Sequence, residues 1–174
     1  MSFNNVLSKG DVSLRPLEMT DIDMLYRWEN DSSVWLVSGT TVPFSRELLT
    51  QYISCADQDI FVARQLRLVI EHKGIAAGAV DLFDFDPLNQ RAGVGILIDP
   101  AHRRSGCAFA ALKIIEEYAR LRLRLHQLYC NITADNIASL QLFSKAGYIV
   151  CGTKKEWIAS PGAWLDEHTL QFML

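Results

Sequence analysis

The stretch Ile96-Leu97-Ile98-Asp99-Pro100-Ala101-His102-Arg103-Arg104-Ser105-Gly106-Cys107-Ala108 carries the strongest signal in this chain. An apolar run stops at an X-Pro break, a short basic turn with a glycine follows, and a helix with small residues in its first turn comes next. That order of parts builds an anion site. Backbone N–H groups left unpaired at a helix N-terminus point outward, and the helix dipole favours negative charge there. Arg103 and Arg104 add fixed cationic donors suited to phosphate. Gly106 and Ala108 let the backbone come close to a bulky diphosphate. No Lys-Ser/Thr pair follows the glycine, so this is not a P-loop, and G-x-G-x-x-G is absent. Taken alone, the stretch also fits an ordinary helix start decorated with surface arginines.

Working outward, residues 91–98 read as the strand that enters the turn. Beyond it Ala108, Ala111, Leu112, Ile115, Tyr118 and Ala119 recur at helical spacing, which predicts a helix to about Arg122. Residues 128–133 read as a strand, and 136–146 as a short helix closed by Gly147 in the left-handed position. Two last strands, 148–158 and 166–174, flank the turn Ser160-Pro161-Gly162. On the other side, 66–71 and 75–85 are strands joined by His72-Lys73-Gly74. Nearer the start, residues 12–15 alternate like a strand up to Pro16. Thr20 is placed to cap a helix bearing Ile22, Leu25, Tyr26 and Trp28, which fades near Asn30. A loop with Trp35 and Gly39 then leads to Ser45, the expected cap of a second helix carrying Leu48, Leu49, Tyr52 and Ile53. The order β-α-α-β-β-β-α-β-α-β-β fits one central mixed sheet with helices on both faces, an α/β (α+β) architecture. No linker or repeat interrupts it, so residues 1–174 are expected to form one domain.

Bulk properties narrow the function. A formal charge of −3 argues against nucleic acid as the main partner, which calls for a broad basic face. No apolar run is long enough to span a bilayer, and Met1-Ser2-Phe3-Asn4-Asn5 does not read as a signal peptide. The four cysteines, Cys55, Cys107, Cys130 and Cys151, form no C-x-x-C pair, so neither zinc nor a disulfide framework is expected. Cys130 and Cys151 sit in apolar strand patterns and are expected to be buried, and Trp157 and Trp28 read as sheet core and helix core. A reducing cytoplasm is the default location.

The spacing Arg103-x-x-Gly106-x-Ala108 resembles the acyl-coenzyme A pyrophosphate loop of the GNAT N-acetyltransferase superfamily, written Q/R-x-x-G-x-G/A. Asn136-Ile-Ala-Ser139-Leu-Gln-Leu-Phe143-Ser-Lys145-Ala-Gly147-Tyr148 is similar to that family's N-x-x-A/S-x-x-L-Y/F-x-K-x-G-F segment. Leu14-Arg15-Pro16-Leu17-Glu18-x-x-Asp21 and Trp28-Glu29-Asn30-Asp31 resemble the branch holding spermidine and ribosomal-protein acetyltransferases. The element order agrees, so the resemblance covers nearly the whole chain. It implies splayed central strands at 91–98 and 128–133. Acetyl-CoA would be the co-substrate, with no metal. Ile96, Leu97 and Ile98 would pair through main-chain atoms with its amide-bearing arm, and the turn from Arg103 and Arg104 through Ser105, Gly106 and Cys107 to Ala108 would hold its pyrophosphate. Asn131, Asn136, Ser139 and Lys145 would lie along the same cofactor. Asn136 is equally a favoured helix cap, and Lys145 equally a solvated charge.

The reaction implied is direct attack of an amine on the acetyl thioester, which needs a group to take the amine proton. Asp81 occupies the strand position where spermidine acetyltransferases carry an acid, and on an apolar strand it is costly unless paired or functional. The plain alternative is an ion pair with Arg91 across the hairpin. Asp84, the second carboxylate candidate for the catalytic site or for attracting a cationic acceptor, is three residues on and falls on the other face of a regular strand. Glu29, Trp35 and Glu156 are candidates for holding a cationic acceptor, by charge and by cation–π contact. Asp166 is a weaker one. Many relatives protonate the departing thiolate with a Tyr where this chain has Phe143; Tyr129 and Tyr148 are possible substitutes that also serve as packing residues. The leading expectation is acetylation of a small polyamine-like amine. Protein N-terminal acetylation and an acyl-CoA-binding module with little turnover are the alternatives. Dimers are common among relatives, so self-association stays open.

Overall fold

A computed structural model of the chain describes residues 6–56 and 58–174; the reading of Met1 to Asn5 lies outside them. Eight strands form one sheet in the order β1-β2-β3-β4-β5-β6-β8-β7. They are β1 Ser8–Lys9, β2 Val12–Pro16, β3 Leu66–His72, β4 Ile75–Asp86, β5 Arg91–Ile98, β6 Gln127–Thr133, β7 Ile149–Ser160 and β8 Ala163–Met173. The helices are α1 Ile22–Glu29, α2 Trp35–Ser38, α3 Arg46–Ser54, α4 Ile60–Ala63, α5 Cys107–Leu121 and α6 Ile137–Ala146. Every neighbouring pair is antiparallel except β5 and β6. Parallel neighbours need a long crossover, and α5 supplies it. The sheet is therefore mixed and helix-covered, as the sequence implies.

Alternation along the strands divides the core in two. Val80, Leu82, Val94 and Leu128 turn toward α5, where Ala111, Leu112 and Ile115 complete the larger cluster. On the opposite face, Val69 packs with Leu25 of α1 and Leu49 and Ile53 of α3. No helix among the described residues is long and apolar enough to cross a membrane.

The feature that positions the site is the short pairing of β5 with β6. It consists of Arg91 opposite Gln127, Ala92 opposite Leu128 and Gly93 opposite Tyr129. Beyond Gly93, β5 keeps its register with β4 as far as Ile98 opposite Gly78. Beyond Tyr129, β6 keeps its register with β8 as far as Thr133 opposite Glu167. The two central strands thus part, and the inner edges of Val94 to Ile98 and Cys130 to Thr133 have no strand partner.

Several local expectations are corrected. Thr20 does not cap α1: Met19–Asp21 is a 3-10 turn, and the Asp21 carboxylate accepts the Glu18 amide (2.9 Å) and a bidentate pair of bonds from Arg15 at 2.7 and 2.9 Å. The loop around Trp35 contains a short helix, α2, and α4 and β1 are additional elements. Ser45 does cap α3, accepting the Leu48 amide at 3.1 Å. Cys130 is buried, but Cys151 is exposed because β7 is the sheet edge. For the same reason Trp157 is 57% exposed rather than core, whereas Trp28 is core as its helical spacing implies.

Two outcomes follow from this architecture. A Cβ at Gly78 would lie 2.1 Å from the Leu97 carbonyl oxygen. Gly78→Ala should therefore cost about 3 kcal/mol of stability, read as a lowered denaturant midpoint, because backbone rather than a mobile side chain must move. Arg15, with the Glu18 amide, holds the Asp21 carboxyl below its ordinary range against the effect of burial. A depressed folded-state pKa gives a contribution that is complete at neutral pH and fades as pH falls through the carboxylate range. Asp21→Asn should then lower stability at neutral pH, with the difference from wild type shrinking toward acid in parallel melts.

Candidate active site

The turn at the open end of the parted strands is fastened from below. Asp99 begins a 3-10 turn, its carboxylate accepting the Ala101 amide and the Trp28 indole N–H, each at 2.9 Å. Those two donors, the indole foremost, hold its pKa below the usual carboxylate range. One side chain thus ties α1 to the start of the loop. Arg104 (φ 63°) and Gly106 (φ 86°) both occupy the left-handed region, which only the glycine enters without strain. Gly106 is the N-cap of α5 and brings no side chain to satisfy its first amides. Ser105 Oγ donates to the His102 carbonyl (2.7 Å) and accepts only a long bond from the Cys107 amide (3.4 Å). The first helical amide with a helical partner is that of Ala110, bonded to Gly106 O. The amides before it, at Ala108 and Phe109, lie at the N-terminal end of a 15-residue helix, where the helix dipole favours negative charge. Cys107 is buried, which keeps its side chain away from a ligand at this turn.

Lys145 lies with its ammonium 5.0 Å from the centre of the Phe109 ring, beside the first turn of α5. The structure therefore sets Lys145 against Phe109 in the first turn of α5, 36 positions away in the chain. Asn131 stands on the unpaired stretch of β6 and accepts from Thr169 Oγ1 at 2.8 Å. Asn136 is the N-cap of α6, its side chain accepting the Ser139 amide at 3.2 Å. The capping alternative is thus realised for Asn136, and its side-chain oxygen is already engaged.

The carboxylates separate into two groups. Asp81 is not paired with Arg91 but sits directly opposite Arg67 on β3, which bonds both its oxygens (2.5 and 3.1 Å). Arg67 also donates to the Glu29 carboxylate, and Tyr52 of α3 stands 5.7 Å from its guanidinium. Burial works against the Arg67 charge, but Asp81 and Glu29 more than offset it and raise its pKa. Trp35 joins the same assembly, its indole N–H donating to the Glu29 carbonyl at 2.9 Å. Glu29, Trp35 and Asp81 are therefore gathered by one arginine that sequence reasoning did not single out. No spacing pattern announces it, because the pairing depends on the β3–β4 register. Glu156 is not part of this group. It lies exposed on β7, where its amide meets Asp166 Oδ1 (3.0 Å) and Lys155 pairs with the same aspartate.

Asp84 does not follow regular alternation. The β4–β5 register shifts between Phe83 and Asp86, so Asp84 and Phe85 oppose Ala92 alone, and Asp84 adopts φ 48°. This bulge swings Asp84 onto the face that carries Tyr129, whose hydroxyl donates to Asp84 Oδ2 at 3.2 Å. Asp84 Oδ1 has no partner among the described residues. Asp84, Asp86, Arg91, Gln127 and Tyr129 line an open cavity of about 440 Å³ on this face, against the point where the strands part. Arg91 pairs with Asp86 at 3.3 Å. Phe143 lies on the opposite side of the sheet, edge-on to Tyr148 at 4.9 Å, and the Tyr148 hydroxyl is shut in the core with no hydrogen-bond partner among the described residues. Burial, with Glu116 and Cys130 nearby, pushes that hydroxyl above the ordinary phenol value.

With this geometry in hand, similarity to known proteins is informative. Residues 11–149 match the acetyltransferase (GNAT) domain family. The chain is 29% identical over 148 residues to the spermidine N(1)-acetyltransferase of Escherichia coli K12, covering 83% of this chain and 76% of the relative. It is 25% identical to a probable N-acetyltransferase of Bacillus subtilis across 97% of both chains. Its fold matches the crystal structure of Vibrio cholerae spermidine N-acetyltransferase in complex with CoA and spermine, with TM-score 0.85, 20% identity, and 95% and 96% of the two chains covered. A dodecameric structure of that Vibrio cholerae protein matches with TM-score 0.79 at 22% identity, over 95% of each chain. The chain therefore belongs to the GNAT acetyltransferase family as an acetyl-CoA-dependent N-acetyltransferase.

Proposed function

We propose that this single domain transfers the acetyl group of acetyl-CoA directly to a primary amine of a small, polyamine-like acceptor in a ternary complex. The observation that carries the acceptor class is the cavity beside the strand vertex. It offers two aspartates, one with a free oxygen, to a cationic chain. The similarity to spermidine acetyltransferases points the same way.

In this reading the cofactor lies between β5 and β6. Its amide-bearing arm pairs with the main chain of Ile96, Leu97 and Ile98, and its pyrophosphate meets the amides from Arg104 to Ala108. Arg103, Arg104 and Lys145 contribute positive charge, and Asn131 and Ser139 border the arm. Asn136 acts by starting α6. Asp84 takes the proton of the attacking amine, because its Oδ1 is free while both oxygens of Asp81 are held by Arg67. Asp81 and Glu29, balanced by one arginine between two carboxylates, leave a net negative wall that favours an ammonium group. Trp35 fixes the end of α1 in that wall. Cysteine usage is consistent with a reducing cytoplasm as the site of action. Self-association belongs to the same reading: Ile149, Val150 and Trp157 are exposed on edge strand β7, an apolar border suited to a second copy.

Mixing the protein with acetyl-CoA and a panel of polyamines, other amines and peptides should release free thiol with polyamines foremost. Cofactor binding without thiol release from any acceptor would refute the reading. Gly106→Asp places a carboxylate at the pyrophosphate position, where a new Cβ meets no atom within 4 Å. It should abolish acetyl-CoA binding in calorimetry, and unchanged affinity would remove the loop from the site. Asp84→Asn should lower kcat/KM for the amine by about 100-fold with cofactor affinity intact. Asp81→Asn should act mainly on thermal stability. The reverse pattern would return the base to Asp81.

A further inference from the structure

We propose that Tyr129 is the acid of the transfer step, delivering its hydroxyl proton to the departing thiolate of coenzyme A with Asp84 as its proton partner. The inference rests on the acetyl-transfer reading above and supplies what Phe143, lacking a hydroxyl, does not.

Position comes first. Tyr129 stands opposite Gly93, the last paired position before the strands separate. From Ile98 back to Gly93 the strand runs roughly 17 Å. An extended arm laid along it from the basic turn brings its sulfur end to that vertex. The Tyr129 hydroxyl crosses over β5 to reach Asp84 on β4 at 3.2 Å. Two features make that crossing. Gly93 leaves room over β5 for the Phe83 ring, which a Cβ there would meet at 2.2 Å, and Phe83 holds the Tyr129 ring edge-on with centroids 6.0 Å apart. The bulge at φ 48° then aims Asp84 at the hydroxyl, a conformation that an aspartate adopts only at a cost. Burial, together with the Asp84 charge, raises the hydroxyl above the ordinary phenol value, so the proton is in place at neutral pH.

The step balances within the pair. The amine lone pair forms the C–N bond, and Asp84 Oδ1 takes the N–H proton. The C–S bond breaks with its electrons on sulfur, and the Tyr129 proton passes to the thiolate. The tyrosinate recovers a proton from the Asp84 carboxyl beside it, so both residues return to their starting states. The net change is amine plus acetyl thioester to amide plus thiol.

Tyr129→Phe removes only the hydroxyl and keeps the ring against Phe83. In steady-state thiol release with the best acceptor from the panel, it should lower kcat by about 100-fold while acetyl-CoA affinity in calorimetry and the unfolding midpoint stay at wild-type values. Wild-type kcat in Tyr129→Phe would overturn the proposal. So would a loss matched by lost cofactor affinity, which marks a packing role. If peptides react and polyamines do not, the acceptor reading fails, while the Tyr129 comparison is decided on the peptide. A wild-type protein without turnover on any acceptor would end both.

Discussion

The abrupt end of hydrogen bonding between β5 and β6 after Gly93 and Tyr129 governs everything else in this molecule. Inside a sheet, main-chain donors and acceptors are normally consumed by the neighbouring strand. Here β4 and β8 hold the outer edges of the two central strands, so those strands diverge without unravelling. Their inner edges stay available to a ligand that itself carries amides. The same divergence sets α5 at the open end, where its N-cap Gly106 supplies no side chain and Ser105 Oγ makes only a long bond to the first amide. One geometric defect in the ladder therefore creates both a slot and a positively polarised rim.

Charge is distributed around that slot in a way that assigns different work to similar residues. Asp81 and Glu29 share Arg67, and Tyr52 closes over it, so this group joins α1, α3, β3 and β4 into a fixed wall. Asp99 performs a comparable service on the cofactor side, anchoring the turn to Trp28. Asp84 and Asp86 face an open cavity instead, where Arg91 is the lining cation among the described residues. Carboxylates bonded on both oxygens are poor proton acceptors, whereas a carboxylate with a free oxygen beside a phenol is suited to proton transfer. Pairing thus fixes Asp81, Glu29 and Asp99 in place and leaves Asp84 with an oxygen unbonded among the described residues.

Much of this was legible from residue order. The strand 91–98 ends where an X-Pro step follows Asp99, Gly147 closes α6 in the left-handed region, and Ser45 caps α3, because each depends on a few adjacent residues. The basic turn was visible for the same reason. Asp84 was misread because a bulge is a mismatch between two strands: a one-strand rule assumes strict alternation, and the extra residue opposite Ala92 breaks it. Trp157 and Cys151 looked like interior residues until the strand order placed β7 at the edge. Arg67 went unnoticed because nothing near it in the chain explains its partners, which arrive from 38 positions upstream and 14 downstream.

The amino-acid order alone determined the longer helices and strands, the glycine-containing basic turn and, through motif resemblance, the family, since all of these are set by local spacing and short-range backbone preference, whereas β1, α2 and α4 escaped it. Only the tertiary structure decided which aspartate is free and which is bound, and that Tyr129 meets Asp84 at the strand vertex. Those facts are properties of register between segments distant in the chain, and register is fixed by packing of the whole sheet rather than by any segment within it.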